Sequence, residues 1–298
     1  MKTIVIASGK GGTGKTTLTA LFARAASARG PVVVADCDVE ASNLPIALHA
    51  EAIATETFAG RETAEVEASR CTGCGSCVAA CRFDAVRVRD GRALVDEWAC
   101  EGCGACEAVC PEGAIAMGPR DGGAVAAADA ATGPMLFGQL EPGQDLSGKL
   151  VTEVRRRAKD AATGADVLVL VDGPPGVGCP VIASVTNADL LVAVTEPSVS
   201  GEHDLRRLVL LARKLGVPVV AVLNKADLSA PGAARIRTAC ERHGVELVGE
   251  VPFDPAMAAA LERLAEGEEP AQAAAAVRRA TEIFTRIAGP AGAAGEGA

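Results

Sequence analysis

Apolar residues fall in short continuous runs separated by stretches of helical spacing. The runs lie at 3–8, 32–36, 167–172, 190–195, 217–224 and 247–251, and most are apolar at successive positions. A strand with one wet face alternates apolar and polar residues. A continuous run instead predicts a strand covered on both faces, as in a parallel sheet. Helical periodicity follows three of these runs, at 16–29, 202–215 and 233–243. Strand–helix alternation of this kind predicts an α/β fold built on a doubly wound, mostly parallel sheet.

The rhythm stops between about 65 and 119, where no long helical period is present and eight of the eleven cysteines fall. The stretch is an internal repeat. A shift of 29 residues carries Cys71, Gly73, Cys74, Gly75, Cys77 and Cys81 onto Cys100, Gly102, Cys103, Gly104, Cys106 and Cys110. Ala79 and Ala85 fall on Ala108 and Ala114 in the same way. Two copies of a small unit, inserted between strands of a larger sheet, account for this economically. The expected organisation is a discontinuous α/β domain (1–62 and 120–288), an inserted small α+β domain (63–119) and a flexible tail (289–298). The Gly-, Ala- and Pro-rich segment 121–147 is expected to be loop returning to the larger domain.

Composition narrows the function. With 298 residues, 49% apolar and only 2% aromatic, the chain can bury a sizeable core built from Ala, Val and Leu. A net charge of −9 and few aromatics argue against a phosphate-backbone binder or a base-stacking surface, so no nucleic-acid partner is expected. No window approaches the roughly 18 apolar residues of a membrane span, and the N-terminus runs straight into a strand without a signal-like segment. An odd cysteine total in a chain of this length suits metal-bound thiols better than a disulfide framework. The expected location is cytoplasmic, with no membrane partner.

Gly9-Lys10-Gly11-Gly12-Thr13-Gly14-Lys15-Thr16 matches G-x-x-x-x-G-K-[ST], with an apolar strand before it and a helix after it. Gly11, Gly12, Thr13, Gly14, Lys15, Thr16 and Thr17 are therefore the expected phosphate-binding residues. The glycines let backbone amides wrap a phosphate, and the helix N-terminus adds its dipole. Lys15 would reach the β- and γ-phosphates, and the Thr16 hydroxyl would sit on Mg²⁺.

The extra lysine, Lys10, makes the loop resemble that of the deviant Walker A ATPases, the MinD/Mrp/ParA and nitrogenase iron protein group. The resemblance implies ATP as the nucleotide. It also implies a homodimer bridged by nucleotide, with Lys10 crossing to the second copy. Asp36-Cys37-Asp38 stands where that family carries switch I, which implies that Asp38 orients the attacking water. Asp172-Gly173-Pro174-Pro175-Gly176 resembles Walker B with switch II, which implies that Asp172 holds a Mg²⁺-bound water. Asn224-Lys225-Ala226-Asp227 resembles the base-recognition segment, with Asn224 on adenine, although Asp227 leaves a guanine preference open. Pro252-Phe253-Asp254 falls where the family closes over the base. A strand-terminal aspartate such as Asp36 also commonly caps a turn.

Cys71-x2-Cys74-x2-Cys77-x3-Cys81 is followed by Cys100-x2-Cys103-x2-Cys106-x3-Cys110-Pro111. The second copy is the full bacterial ferredoxin run, and the first differs in having Arg82 in place of the proline. In such runs the fourth cysteine serves the other cluster. One [4Fe–4S] cluster is therefore expected on Cys71, Cys74, Cys77 and Cys110, and a second on Cys100, Cys103, Cys106 and Cys81. Structural zinc is the alternative, but zinc motifs separate two cysteine pairs by a long loop. Over nearly its whole length the chain resembles MinD-superfamily P-loop ATPases carrying an inserted two-cluster bacterial-type ferredoxin domain.

Cys179 lies seven residues after Asp172, the offset of a cluster-bridging thiolate in the nitrogenase iron protein. That resemblance implies metal at a dimer seam; the alternative is a small packed residue. Cys37 and Cys240 read as ordinary buried residues, and His49, His203 and His243 have no metal spacing. Arg155-Arg156-Arg157 reads as a solvated face or a dock for an acidic partner. The stretch 271–288 could mimic the membrane helix of MinD, but its modest apolar face favours packing on the body.

Three functions compete. The first is an ATPase that couples Mg-ATP to electron transfer through two clusters, toward a redox or metallocofactor partner. The second is an ATP-dependent carrier or assembly factor for iron–sulfur or other metallocofactors. The third is a MinD-like spatial organiser with structural clusters.

Overall fold

The structure, a computed structural model, describes residues 1–164, 166–265 and 274–289. In chain order the elements begin β1 (Lys2–Ser8), α1 (Lys15–Ser27), β2 (Val32–Asp36), α2 (Leu44–Ala47) and β3 (Glu51–Val66). Next come α3 (Ser76–Ala80), β4 (Val86–Arg89), β5 (Arg92–Val95), α4 (Ala105–Ala108), β6 (Ile115–Ala130) and β7 (Gly133–Leu140). The chain continues through α5 (Ser147–Ala161), β8 (Leu168–Pro175), α6 (Cys179–Val185), β9 (Leu190–Thr195), α7 (Val199–Lys214) and β10 (Val219–Asn224). After a short 3₁₀ turn it closes with α8 (Ala230–Arg242), β11 (Glu246–Val251), α9 (Met257–Ala265) and α10 (Ala274–Ala288).

Two compact units result. The first comprises Met1–Glu56, Val125–Gln139 and the described residues from Ser147 onward; the second comprises Thr57–Ala124 and Leu140–Leu146. The second unit thus extends past 63–119 at both ends and takes in a further short segment.

The large sheet has the order β11-β10-β9-β1-β8-β2-β7-β6-β3, and the ladders joining β11 through to β7 are all parallel. β2 is buried at every position and β1 at all but its first, which is why their sequences are continuously apolar. The register sets Asp36 beside Asp172, and Asp172 beside Ile6, at the carboxyl ends of three neighbouring strands. Helix α1 leaves the end of β1 at that same edge. Open α/β sheets bind ligands at such an edge.

Segment 121–147 is not the expected loop. β6 runs on to Ala130 and β7 occupies Gly133–Leu140, with Val125, Ala126, Ala128 and Met135 buried. Gly and Ala carry little local strand preference. These strands depend on their neighbours: β7 pairs with β2, Met135 lying opposite Val34.

Helix α10 packs on α1. Phe284 and Phe22 are buried with ring centroids 5.7 Å apart, and Ile283 seats over Gly249, where a Cβ would lie 2.4 Å from Ile283 Cγ1. The arginine run is not a uniformly solvated face. Arg155 is buried and donates to the Ala183 and Thr186 carbonyls at 2.9 and 2.5 Å. Arg156 and Arg157 are tied to Glu153, Asp160 and Glu56. Of the expected tail, residues from 290 on lie outside the described residues.

The second unit carries the cysteine repeat. Gly75 and Gly104, both left-handed, open the one-turn helices α3 and α4, and Gly73 and Gly102 share φ values of 68° and 67°. The sequence repeat is thus a backbone repeat. β4 and β5 form a hairpin turned at Asp90-Gly91, both at positive φ, as a two-residue turn requires. Its small core gathers Ala64, Val86, Ala93 and Ile115 around the buried Cys77 and Cys106.

Candidate functional site

The phosphate loop connects β1 to α1 and places Lys15 and Thr16 in the first helical turn. Gly12 and Gly14 take φ of 77° and 84°, which a side chain would resist. The space where Gly11 and Gly12 would carry a Cβ is open. The Thr13 hydroxyl is buried without a hydrogen-bond partner. A cradle of free amides with an orphaned hydroxyl fits a phosphate group.

Four predicted residues converge here. Lys15 Nζ lies 2.8 Å from Asp172 Oδ1 and 3.7 Å from Asp38 Oδ2. Thr16 Oγ1 donates to Asp172 Oδ2 at 2.8 Å. Burial works to lower the Lys15 pKa, but the Asp172 carboxylate outweighs it and the ammonium is held above its ordinary value. Burial pushes the Asp38 carboxyl up, against the pull of Lys15. Clustered hard oxygen donors, with a lysine beside them, fit Mg²⁺ and a nucleotide phosphate.

Asp36 serves the turn that follows it. Its carboxylate accepts from the Asp38 amide, the Ser42 hydroxyl and the Leu44 amide at 2.9, 2.8 and 3.1 Å. Burial, then the nearby Asp172 charge, raise its pKa to about 7. Asn224 is spent on the loop itself: its amide donates to the Thr13 carbonyl at 2.7 Å. Lys225 donates to the Gly12 carbonyl at 2.6 Å from a left-handed backbone. The end of β10 therefore props the phosphate loop. Asp227 accepts from the Phe253 amide at 2.6 Å, tying the ends of β10 and β11 together beside the exposed Pro252.

Lys10 stands apart from the Lys15 group. Its ammonium lies 2.5 Å from Glu196 Oε1 and donates to Ser200 Oγ at 2.9 Å. Burial acts to raise the Glu196 pKa, but Lys10 and Lys225 bring it below the ordinary carboxylate range. Cys179 is exposed at the start of α6, whereas Cys37 and Cys240 are buried. Burial pushes both of these thiols up.

Two participants were not assigned from sequence. Thr19 Oγ1 donates to Asp172 Oδ1 at 2.8 Å; its signal was helical spacing, one turn after Lys15 on the same face. Glu196 follows a buried strand and carries no local mark of its pairing with Lys10.

In the second unit the eight cysteines regroup across the repeat. One hollow is lined by Cys71, Cys74, Cys77 and Cys110, with Ala93 in its wall. A second is lined by Cys81, Cys100, Cys103 and Cys106. The Ala93 amide donates to Cys71 Sγ at 3.4 Å and the Ala114 amide to Cys110 Sγ at 3.3 Å. Burial pushes Cys77 and Cys106 up. Burial acts in the same sense at Cys100, but the Ala64 and Gly102 amides and Arg120 bring it below its ordinary value. Among the described residues, no three His, Cys, Asp or Glu are gathered closely enough to hold one metal ion. Sulfurs on a single zinc would stand about 3.8 Å apart. The donor set fits a larger inorganic core, with amides directed at its thiolates.

Among the described residues, no helix is long and apolar enough to cross a membrane. The chain is 34% identical over 226 residues to an uncharacterized protein of Methanocaldococcus jannaschii, covering 76% of this chain and 79% of the relative. It is 23% identical over 270 residues to an iron-sulfur cluster carrier protein of the same organism, covering 84% and 72%. Its fold resembles that of the septum site-determining protein MinD with Mg-ADP from Pyrococcus horikoshii. The TM-score is 0.56 at 18% identity, covering 96% of this chain and 95% of that one. MinD of Pyrococcus furiosus is similar too, with a TM-score of 0.54 at 20% identity and coverage of 96% and 98%. The profile of the CobQ/CobB/MinD/ParA nucleotide binding domain matches residues 4–265, and with the phosphate loop, the aspartates beside it and the parallel sheet this places the chain in that nucleotide-binding family.

Proposed function

We propose that this protein is an ATPase that couples Mg-ATP binding and hydrolysis to electron transfer through two [4Fe–4S] clusters held by an inserted ferredoxin-like domain. The observation that carries the reading is the exchange of fourth cysteines: Cys110 joins the first run's hollow and Cys81 the second's. Such an exchange serves two cubes and has no use in two independent zinc loops. Clusters bound there would supply one-electron chemistry.

Lys15 and Thr16 would hold the terminal phosphates and Mg²⁺, Asp172 a metal-bound water and Asp38 the attacking water. Lys15 and Thr16 already contact Asp172, with Asp38 3.7 Å from Lys15, so nucleotide entry must redirect Lys15 and Thr16 from Asp172 onto the ligand. Lys10 would cross to the nucleotide of a second copy once released from Glu196, which makes the working form a homodimer. The partner would be a redox or metallocofactor protein.

A carrier role is the second reading. It is favoured by the similarity to an iron-sulfur cluster carrier protein and by the exposure of Cys179. Anaerobic purification with iron analysis separates the two. About eight Fe per chain, with nucleotide-dependent oxidation of the reduced protein, supports electron transfer. Iron well above that, lost in Cys179→Ala and transferable to an apo-acceptor, supports carriage. Zinc with no iron would overturn both.

A further inference from the structure

The second unit has an open groove of about 840 Å³, distinct from both cysteine hollows. Its walls include residues 63–66 of β3 and 92–95 of β5. Each of these strands has a single neighbour in its sheet, and on β5 the outward Ala93 amide is taken by Cys71 Sγ. The side chains along the groove, over a volume far larger than one ion, suit a polypeptide segment.

The rim is acidic. Glu65, Glu97, Asp121 and Glu141 line the groove, and among the described residues none of them is in an ion pair. Two arginines, Arg92 and Arg120, share the groove. The Arg120 guanidinium lies 4.5 Å over the Trp98 ring and donates to the Glu97 carbonyl. Trp98 nevertheless stays 66% exposed. An exposed tryptophan inside a ring of unpaired carboxylates suits a cationic segment, through cation–π contact and charge together.

The groove also lies against both cysteine sets. Ala93 lines the groove and the first hollow alike, and its amide donates to Cys71 Sγ. On the opposite wall, Thr63 and Ala64 lie beside Cys100. The buried Thr63 hydroxyl has no hydrogen-bond partner. One residue separates the groove from a candidate cluster ligand on each side.

We propose that this groove docks a basic segment of the redox partner protein, with Trp98 as the aromatic contact; the inference rests on the electron-transfer reading above. Position 98 reports on itself, because the chain has one tryptophan and no tyrosine. The full chain, purified anaerobically with its iron counted, is titrated with a ten-residue lysine peptide while tryptophan emission is followed. A ten-residue glutamate peptide serves as control. The expected result is a saturable emission change with lysine peptide only, weakening about tenfold between low and high salt. Glu97→Gln/Asp121→Asn/Glu141→Gln should weaken binding about tenfold. Glu51→Gln/Asp166→Asn/Glu241→Gln, which removes the same charge elsewhere, should leave binding nearly unchanged. Equal weakening in the two triple variants, or no emission change at saturating peptide, overturns the docking site. Iron content in the same sample judges the electron-transfer reading separately.

Discussion

The Lys15 ammonium and the Asp172 carboxylate form a buried pair, 2.8 Å apart, where the phosphate loop meets the end of β8. Asp172 is fully buried and Lys15 nearly so. Removing one partner strands a charge away from water, at a cost of about 3–5 kcal/mol. Asp172→Ala should therefore destabilise the nucleotide-free protein by that order. Adding Lys15→Met should recover part of the loss. Denaturant melts of the two singles and the double measure the coupling. ATP turnover should fall at least about a hundredfold in each variant. Turnover near wild type would show that the site has been misread.

The Lys10–Glu196 contact sets a pH dependence. The Glu196 pKa is lowered in the folded chain, so the contact adds stability above the unfolded carboxylate range near 4.5. That contribution is lost as pH falls through the lower folded value. A side-chain carbon NMR titration of Glu196 should show the depression, and Lys10→Met should move the value back up. Identical titrations in the two proteins would remove the contact as its cause.

Crossed ligation makes an additive pattern specific. Cys71→Ala and Cys110→Ala face one hollow, so the double variant should lose no more iron than either single, about half of the total. Cys71→Ala with Cys81→Ala touches both hollows and should lose nearly all. If Cys71 paired additively with Cys110 and not with Cys81, each run would hold its own metal.

Asn224 separates two roles. A base reader would change purine choice when altered. A prop for Thr13 and Gly14 would weaken all nucleotides together. The Asn224 amide sits where a Gly14 Cβ would be, 2.2 Å away. Asn224→Ala should weaken ATP and GTP by the same factor, about tenfold, as loss of one buried hydrogen bond predicts. A change in the ATP/GTP ratio, measured by calorimetry, would return Asn224 to the base.

Gly249 tests how α10 is fixed. An added Cβ would meet Ile283 at 2.4 Å. Gly249→Ala should cost about 1–3 kcal/mol by overpacking, and Ile283→Ala about 2–5 kcal/mol by leaving a cavity. Thermal melts read both. A neutral Gly249→Ala would mean that α10 shifts freely on β11.

The central sheet was legible because its strands are buried on both faces and so are continuously apolar. β2 and β9 occupy 32–36 and 190–195 with the boundaries their apolar runs set. β3, β6 and β7 were not legible. β3 and β6 are rich in Ala and Gly and β7 is interrupted by Gly and Pro, so none has a period strong enough to announce a strand, and only pairing with neighbours makes them one.

By itself the sequence determined the chemistry available. It placed a phosphate loop between strand and helix, aspartates at strand ends, and eight cysteines at repeated spacing, because these depend on residue type and local geometry. The tertiary structure decided which groups meet. It paired Lys15 with Asp172 across 157 residues of chain, as the parallel β1–β8 ladder requires. It held Lys10 on Glu196, turned Asn224 onto the loop, buried Arg155, and opened a groove beside Cys71 and Cys100. None of these is written in local spacing, because each contact joins elements that only the folded sheet and the small cysteine-rich core bring together.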